Sequence, residues 1–206
     1  MDEPAPRQRR ARGDVRAGLV AAGLELARAG GPDAVVLREA TRSVGVVPNA
    51  AYRHFADRDE LLAEVCTAAM RELADRMTAE IALIRGKRGN PEAARRRLGA
   101  IGSAYLKFAR EEPGLFATAF ALPQQHAYNE GRTPLGILRA ALDELVEAGA
   151  LDPHRREGIE YPIWSIVHGT AVLTVQGPLR DAPDAELRRI EAGTLAFIGD
   201  SLAGSG

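Results

Sequence analysis

Apolar residues recur at intervals of three and four along almost the whole chain, which is the spacing of an amphipathic helix. The pattern is clear near both ends, in Val15, Leu19, Ala22 and Leu26 and in Leu187, Ile190, Thr194 and Ile198. No segment of the sequence shows the strict alternation that is typical of a half-buried strand. The spacing therefore predicts an all-α protein.

Several helix starts are marked by a capping side chain directly before a proline, the residue that fits the first helical position. Three such pairs are Asn90-Pro91, Thr133-Pro134 and Asp152-Pro153. Asp57 followed by Glu60 has the pattern of a capping box, so a long helix is expected to start at Arg58. Together these boundaries predict about nine helices, near 14–29, 37–44, 48–55, 58–85, 91–111, 114–121, 133–149, 153–177 and 184–203.

The composition excludes several classes of protein. Of the 206 residues, 46% are hydrophobic and 27% are charged, which is the balance of a soluble globular protein. The single cysteine, Cys66, has no partner for an internal disulfide or a thiolate zinc site, which favours a cytoplasmic protein. No apolar run approaches about 18 residues, so we expect no membrane-spanning helix.

The net charge of −1 hides an uneven distribution. Residues 7–58 hold ten arginines and five carboxylates, a net charge of +5, whereas the rest of the chain holds 17 basic and 23 acidic residues, a net charge of −6. A basic N-terminal part on an acidic body indicates that this part meets a polyanion. The arginine-rich residues 1–12 are expected to form a flexible arm that either contacts phosphates or is simply solvated.

Residues 37–55 read LREATRSVGVVPNAAYRHF, a pattern typical of a helix-turn-helix. A short helix is predicted to end at Val44, Gly45 allows the left-handed backbone of the turn, and a second short helix starts near Pro48. The valines on either side of the glycine are expected to pack inward, and Phe55 is expected to anchor the motif in the core. Such a pair places its second helix in the major groove of DNA.

This region resembles the TetR family of transcriptional regulators, and the close match covers roughly residues 14–65. The resemblance rests on the Gly45-Val46 turn, on Tyr52-x-His54-Phe55, and on Asp57-Arg58-Asp59-Glu60-Leu61-Leu62 at the start of the next helix. It implies a three-helix DNA-binding domain, here 13–57, followed by a helical ligand-binding and dimerisation domain, here 58–206. It also implies a homodimer that binds double-stranded operator DNA and responds to a small-molecule effector, most often as a repressor.

The resemblance also implies which residues contact DNA. In the family a tyrosine, a histidine and a cation of this motif bind phosphates, and these positions correspond to Tyr52, His54 and Arg58. The positions that face the groove or reach a base edge or phosphate correspond to Arg38, Val47, Pro48, Asn49 and Arg53.

Each of these contacts has a plainer alternative. The Tyr52 ring could pack on the first helix, and His54 could be a surface or core histidine. Arg38 and Arg53 could serve solubility alone. Asn49 could cap the helix or bond an adenine edge, and the residue type does not decide between the two.

Two positions depart from the family pattern. Val36 and Val47 stand where a threonine, and a serine or threonine, usually cap the two helices of the motif. Because a lost cap costs about 1 kcal/mol, the second helix is expected either to fray in the free protein or to be capped by Asn49 after a small shift.

One short pattern remains in the C-terminal two-thirds of the chain, Trp164-x-x-x-His168-Gly169, which resembles an element of one group of TetR C-terminal domains. Residues four apart share a helix face, so the tryptophan and the histidine either line a ligand pocket or pack in the core. The low aromatic content, 5%, predicts a mostly aliphatic cavity for a hydrophobic or amphipathic molecule. The candidate pocket residues are the aromatic and polar groups of the central helices, most of them core residues by default: Tyr105, Phe108, Phe116, Phe120, Tyr128, Trp164 and His168.

The helix expected near 153–177 is apolar over a wider arc than one packing face needs. With the helix near 184–203 it is predicted to form the two-fold, four-helix interface of the homodimer that the resemblance implies. Pro162 lies inside the first of these helices and is expected to kink it or to open its hydrogen-bond ladder.

The sequence carries no glycine-rich phosphate loop, no nucleophile motif and no His-Glu-x-x-His motif, and its four histidines are scattered. We therefore expect no enzyme, no metal site and no cofactor. An alternative interpretation is a helical small-molecule-binding or interaction protein whose helix-turn-helix no longer binds DNA. The predicted function is a ligand-responsive, DNA-binding transcriptional regulator.

Overall fold

The computed structural model describes residues 12–123 and 132–203, and the part of the chain that it describes is all-α, as predicted. It contains nine α-helices and two short 3₁₀ turns, Pro32–Ala34 and Pro153–Arg155. The α-helices are α1 (Arg12–Gly30), α2 (Leu37–Val44), α3 (Pro48–Ala51), α4 (Arg58–Ala82), α5 (Pro91–Glu111), α6 (Pro113–Ala119), α7 (Pro134–Glu147), α8 (Glu160–Val175) and α9 (Asp184–Ala203). None of these helices combines the length and the apolarity that a bilayer crossing requires.

The predicted caps form at the starts of the long helices. The side chains of Asn90 and Thr133 accept hydrogen bonds from the backbone three residues later, at 2.8 and 3.1 Å. Asp57 accepts from the Glu60 amide at 2.9 Å, and the Glu60 carboxylate accepts from the Ala56 amide at 2.6 Å. The reciprocal bond thus reaches one residue beyond the cap, and α4 starts at Arg58 as expected.

The predicted start of the helix near 153–177 is wrong. Asp152 caps only a 3₁₀ turn. Gly158 has a left-handed backbone, at φ 72°, which prevents a continuous helix, and α8 begins only at Glu160. Pro162 therefore falls in the first turn of α8, where an N–H has no helical acceptor to lose. Both the expected kink and the expected gap in the hydrogen-bond ladder at Pro162 are accordingly wrong, because the proline lies in the first turn of the helix and not in its interior.

The second helix of the motif is also shorter than the predicted 48–55. Helix α3 ends at Ala51, whose carbonyl accepts from both the His54 amide (2.8 Å) and the Phe55 amide (2.9 Å). Helix α2 begins at Leu37, and its N-cap residue, Val36, makes no side-chain cap, as the missing threonine predicted. The free protein thus holds barely one turn of helix at the position that would enter a groove.

Helices α1, α2 and α3 pack together as a small N-terminal unit. Gly45 has the left-handed backbone expected of the turn, φ 73° and ψ 31°, and its amide donates to the Thr41 carbonyl at 3.0 Å. Val44 and Val46 both pack against the core, and Phe55 is fully buried. The turn geometry predicted from the sequence is confirmed.

Helix α4 connects the N-terminal unit to the C-terminal helices, since it contacts α1 as well as α5, α6 and α7. Its buried side chains extend over five turns. They are Leu61, Leu62, Val65, Cys66, Ala69, Met70, Leu73, Ala74 and Met77.

A second contact joins the N-terminal unit to the C-terminal body, which consists of helices α4–α9. At this contact α6 meets the end of α1. Gly114 lies so close to α1 that a Cβ at this position would be 2.2 Å from the Ala27 carbonyl oxygen. Around this contact Arg28 pairs with Glu72 at 3.3 Å and with Glu112, which also pairs with Arg76 at 3.0 Å. Packing and ion pairs thus lock the end of α1 to α4 and α6.

We expect Gly114→Ala to lower the free energy of unfolding by about 1–3 kcal/mol, because the added methyl must push α6 away from α1. The control is Gly99→Ala on α5, where an added Cβ meets no atom within 4 Å. This control should be neutral or stabilise the protein by about 0.5–1 kcal/mol, the helix preference of alanine over glycine. Urea denaturation measures both variants, and equal stabilities would contradict the close contact.

Candidate nucleic-acid interface and ligand cavity

The predicted DNA-contacting side chains of the helix-turn-helix lie mostly at the surface. Tyr52 is 60% exposed, and its ring does not join the core on α1. Val47 is 69% exposed. Asn49 is exposed and forms no side-chain hydrogen bond with a described residue, whereas His54 is half-buried. The side chain of Pro48 lies outside the described part of the structure.

The two remaining arginines of the motif differ from most others of the N-terminal unit. Arg38 and Arg53 are exposed and pair with no carboxylate among the described residues. By contrast, Arg16 pairs with Glu64 at 3.1 Å, and its guanidinium lies 4.9 Å from the centre of the Phe55 ring. Unpaired cations on an exposed surface are the groups that phosphates attract most directly.

Arg58 has a structural role that the sequence did not indicate. Its Nε donates to the Val35 carbonyl at 2.9 Å, and one terminal nitrogen donates to the Pro32 carbonyl at 2.7 Å. The guanidinium thereby ties the loop between α1 and α2 to the first turn of α4. Only its outer edge, near Asp59 at 3.5 Å, faces away from this loop.

A cavity of about 330 Å³ lies within the C-terminal body, between α5, α7, α8 and α9, with Met77 of α4 in its wall. Its lining is almost entirely aliphatic, from residues such as Leu98, Ile101, Leu138, Ile163 and Val167. The volume lies at the small end of the range of ligand pockets in proteins. Of the seven predicted pocket residues, Tyr105 and Trp164 line this cavity.

Tyr105 is the centre of a hydrogen-bonded group of three side chains. Its hydroxyl lies 2.8 Å from Nδ1 of His168 and accepts from Nε1 of Trp164 at 3.4 Å. Burial lowers the pKa of His168 and raises the pKa of Tyr105, so both groups are neutral near pH 7. The hydrogen bond between them therefore joins two neutral groups, and the tautomer of His168 determines which of the two donates.

The other predicted pocket residues pack behind this group and do not line the cavity. Phe116 and Phe120 stack around His168, with ring centres 5.6 and 4.7 Å from its own. Phe108 is fully buried under the guanidinium of Arg76, whose centre lies 5.2 Å from the ring centre. Tyr128 lies outside the described residues. The Trp-x-x-x-His pair thus serves both interpretations, since the tryptophan lines the cavity while the histidine packs among aromatic rings.

Most of the cavity lining escaped prediction, because aliphatic side chains and glycines carry no chemical signature in a sequence. Gly99 of α5 and Gly199 of α9 both line the cavity, and a Cβ at either position would meet no atom within 4 Å. Two charged residues, Arg95 and Asp200, also line it, and both are exposed, which places them at its mouth. In residues 12–123 and 132–203 no group of three His, Cys, Asp or Glu side chains could hold a metal ion.

Large apolar side chains are exposed on α8 and α9. Leu173 is 45% exposed and Phe197 is 62% exposed. Tyr161, at the start of α8, is 51% exposed and accepts a hydrogen bond from Arg139 at 3.0 Å. Exposed apolar side chains of this size on adjacent helices are typical of a protein–protein interface.

Solved structures of the same fold match nearly the whole chain, although no curated protein matches it. A protein with unknown function from Rhodococcus sp. RHA1 has a TM-score of 0.76 and 22% sequence identity, over 98% of this chain and 100% of that one. A TetR-family transcriptional regulator from Pectobacterium atrosepticum has a TM-score of 0.65 and 18% identity, over 95% and 96%. RolR in complex with resorcinol has a TM-score of 0.59 and 18% identity, over 95% of each chain.

Two family profiles match the two parts of the chain. Residues 19–65 match the family described as "Bacterial regulatory proteins, tetR family", and these residues include the exposed helix-turn-helix surface. Residues 98–195 match the family described as "Tetracyclin repressor-like, C-terminal domain", and these residues include most of the cavity wall. The chain therefore belongs to the TetR family of DNA-binding transcriptional regulators.

Proposed function

We propose that this regulator is a homodimeric repressor that a small hydrophobic or amphipathic molecule releases from a palindromic operator. The observation that carries the proposal is the reach of α4. Its first residue, Arg58, holds the loop of the N-terminal unit, and Met77, five turns further on, lines the cavity. One rigid helix thus contacts both the proposed DNA-binding domain, residues 13–57, and the proposed ligand site in residues 58–206.

The N-terminal surface suits a docking on DNA that begins with phosphate contacts. Tyr52, Arg53 and His54 follow the end of α3, where they reach the backbone of the duplex, while the exposed Val47 and Asn49 face the groove. Arg38, without a carboxylate partner among the described residues, supplies a base or phosphate contact from α2. Arg58 contributes only the outer edge of its guanidinium, because two of its nitrogens bind the loop carbonyls.

The exposed apolar side chains of α8 and α9 are the proposed dimer interface. Two copies of this helix pair form a four-helix arrangement about a two-fold axis, which suits a palindromic operator. The two copies of α3, which are the recognition helices of the dimer, then need a separation of about 34–36 Å to enter successive major grooves.

The proposed mechanism is a two-state equilibrium between a DNA-binding form and a ligand-binding form. A ligand in the cavity presses on Met77 and so displaces α4, and the N-terminal unit moves with it through Arg58 and the contact between α1 and α6. The displacement changes the separation of the two recognition helices. The ligand therefore binds the DNA-free form more tightly.

A non-enzymatic role in the cytoplasm fits the side chains available. Burial raises the pKa of Cys66 to about 11, so its thiol is a protonated core group and not a nucleophile. An alternative function, a helical ligand-binding protein without DNA binding, is favoured by one observation, the short and weakly capped α3. Binding to duplex DNA separates the two.

We expect Tyr52→Phe to weaken binding to every duplex sequence by about 10- to 150-fold, since a hydrogen bond to a charged group contributes about 1.5–3 kcal/mol. The hydroxyl bonds to no described residue, so the fold is not disturbed. Asn49→Ala should instead reduce discrimination at one base pair by about 1–3 kcal/mol. Fluorescence anisotropy with labelled duplexes measures both, and unchanged affinity of Tyr52→Phe would show that the docking register is wrong.

We expect Leu173→Asp to convert the dimer to a monomer at micromolar concentration, because it buries a charge in the proposed interface. Leu83→Asp is the matched control, since Leu83 is 72% exposed at the end of α4, away from α8 and α9. Sedimentation velocity measures the mass of each variant. A dimer that survives Leu173→Asp would place the interface elsewhere.

The proposed function is tested by selecting bound duplexes from a random DNA pool with the purified protein. A palindromic site should be enriched, and its affinity should fall steeply with salt because phosphate contacts release counterions. Arg53→Gln should lower the salt slope by about 1, whereas Arg180→Gln, in the segment between α8 and α9, should not. No enriched sequence, with only weak binding at low salt, would favour the ligand-binding protein without DNA binding.

A further inference from the structure

We propose that the cavity takes an elongated apolar molecule with a single anionic group, its tail inside the cavity and its anion on Arg95 at the mouth. This inference deepens the proposed function and rests on it. It depends on where the polar groups of the lining lie and which of them already have partners.

The polar groups inside the cavity are already satisfied. The Tyr105 hydroxyl is hydrogen-bonded to Nδ1 of His168 at 2.8 Å and accepts from Trp164 at 3.4 Å. Burial lowers the pKa of His168, so no charge stands behind the tyrosine. A polar ligand group at this end would have to compete with these bonds between buried side chains, which costs affinity. An apolar tail fits the inner end without that cost.

The free polar groups lie at the mouth. Arg95 and Asp200 are the two charged residues that line the cavity, and both are exposed. Neither forms an ion pair or a side-chain hydrogen bond with a residue of the described segments. A ligand head group is therefore recognised at the mouth, either as an anion by the Arg95 guanidinium or as a cation by the Asp200 carboxylate.

The surroundings of Arg95 favour an anion over a cation. Arg96 donates to the Arg85 carbonyl at 2.9 Å and Arg97 donates to the Gly86 carbonyl, so the loop after α4 is held against the start of α5. The first turn of α5, which is the positive end of the helix dipole, lies directly before Arg95 in the same helix. Residues 83–98 contain one carboxylate, Glu92, and six cations: Arg85, Lys87, Arg88, Arg95, Arg96 and Arg97. Arg97 pairs with Glu144, and Arg96 lies 3.7 Å from Glu92. The other four cations pair with no carboxylate among the described residues, and their summed potential attracts an anionic head group and outweighs the single Asp200.

The width of the cavity at this end comes from glycine. Gly99 lies one turn after Arg95 on α5, and a Cβ there meets no atom within 4 Å. An unbranched chain that passes Gly99 reaches the aliphatic wall while its head remains at the guanidinium.

Three probes of one chain length test the head group: decanoate, 1-decanol and decylamine, each below the concentration at which it forms micelles. Trp164 is the only tryptophan of the chain and lines the cavity, so its fluorescence reports binding directly. We expect decanoate to bind about tenfold more tightly than decanol, and decylamine to bind most weakly, since one charge-assisted hydrogen bond is worth about a factor of ten.

Variants of the full-length protein locate the contact. Arg95→Gln should weaken decanoate by about tenfold and leave decanol unchanged, whereas Lys107→Gln, which removes a cation from the exposed face of the same helix, should change neither. Gly99→Leu should weaken both probes by filling the cavity. Ser103→Leu, which adds the same side chain at an exposed position of α5 outside the cavity, should weaken neither.

Equal affinities for decanoate and decanol, with no effect of Arg95→Gln, would overturn the proposal. Tighter binding of decylamine would also overturn it and would assign the head group to Asp200. No fluorescence change with any probe would overturn the proposed ligand class, while an enriched palindrome in the DNA selection would still support the proposed function.

Discussion

The burial of one long stripe of α4 is the constraint on which the rest of the structure depends. Nine of its side chains are buried between Leu61 and Met77, and they face α1 near the start of the helix and the cavity wall near its end. An α-helix is stiff over five turns, because each turn is held by its own hydrogen bonds. In the proposed mechanism, a displacement at Met77 is carried along α4 to Arg58 and to the loop that Arg58 holds.

The second contact between the two parts restricts the direction of that movement. Gly114 brings α6 against the carbonyls of α1, and Arg28 links α1 to carboxylates on both α4 and the segment before α6. Packed interfaces of this kind move between discrete arrangements rather than deforming continuously. With α4 and α6 both attached to α1, the N-terminal unit follows the body as one piece. This arrangement accounts for how a small cavity could control a surface about five helical turns away.

Most of the fold could be predicted from local sequence patterns, whereas the aliphatic walls of the cavity could not. The caps at Asp57, Asn90 and Thr133 and the glycine turn at Gly45 were predictable, because each depends on residues within one turn. The end of α3 at Ala51 and the late start of α8 were not, since tertiary packing decides where a weakly capped helix stops. Aromatic residues drew attention to the region of the cavity, but its walls are aliphatic, and only the fold brings distant leucines, valines and glycines together.

Linkage between the cavity and the DNA-binding surface is the central claim, and it makes a reciprocal demand on affinity. A ligand that releases the operator must bind the free protein more tightly than the operator-bound protein. Trp164 allows the direct measurement, which is to titrate one cavity ligand against both forms and follow the fluorescence of this single tryptophan. The account predicts an affinity about 5- to 150-fold higher for the free protein. Equal affinities for the two forms would show that α4 does not couple the sites.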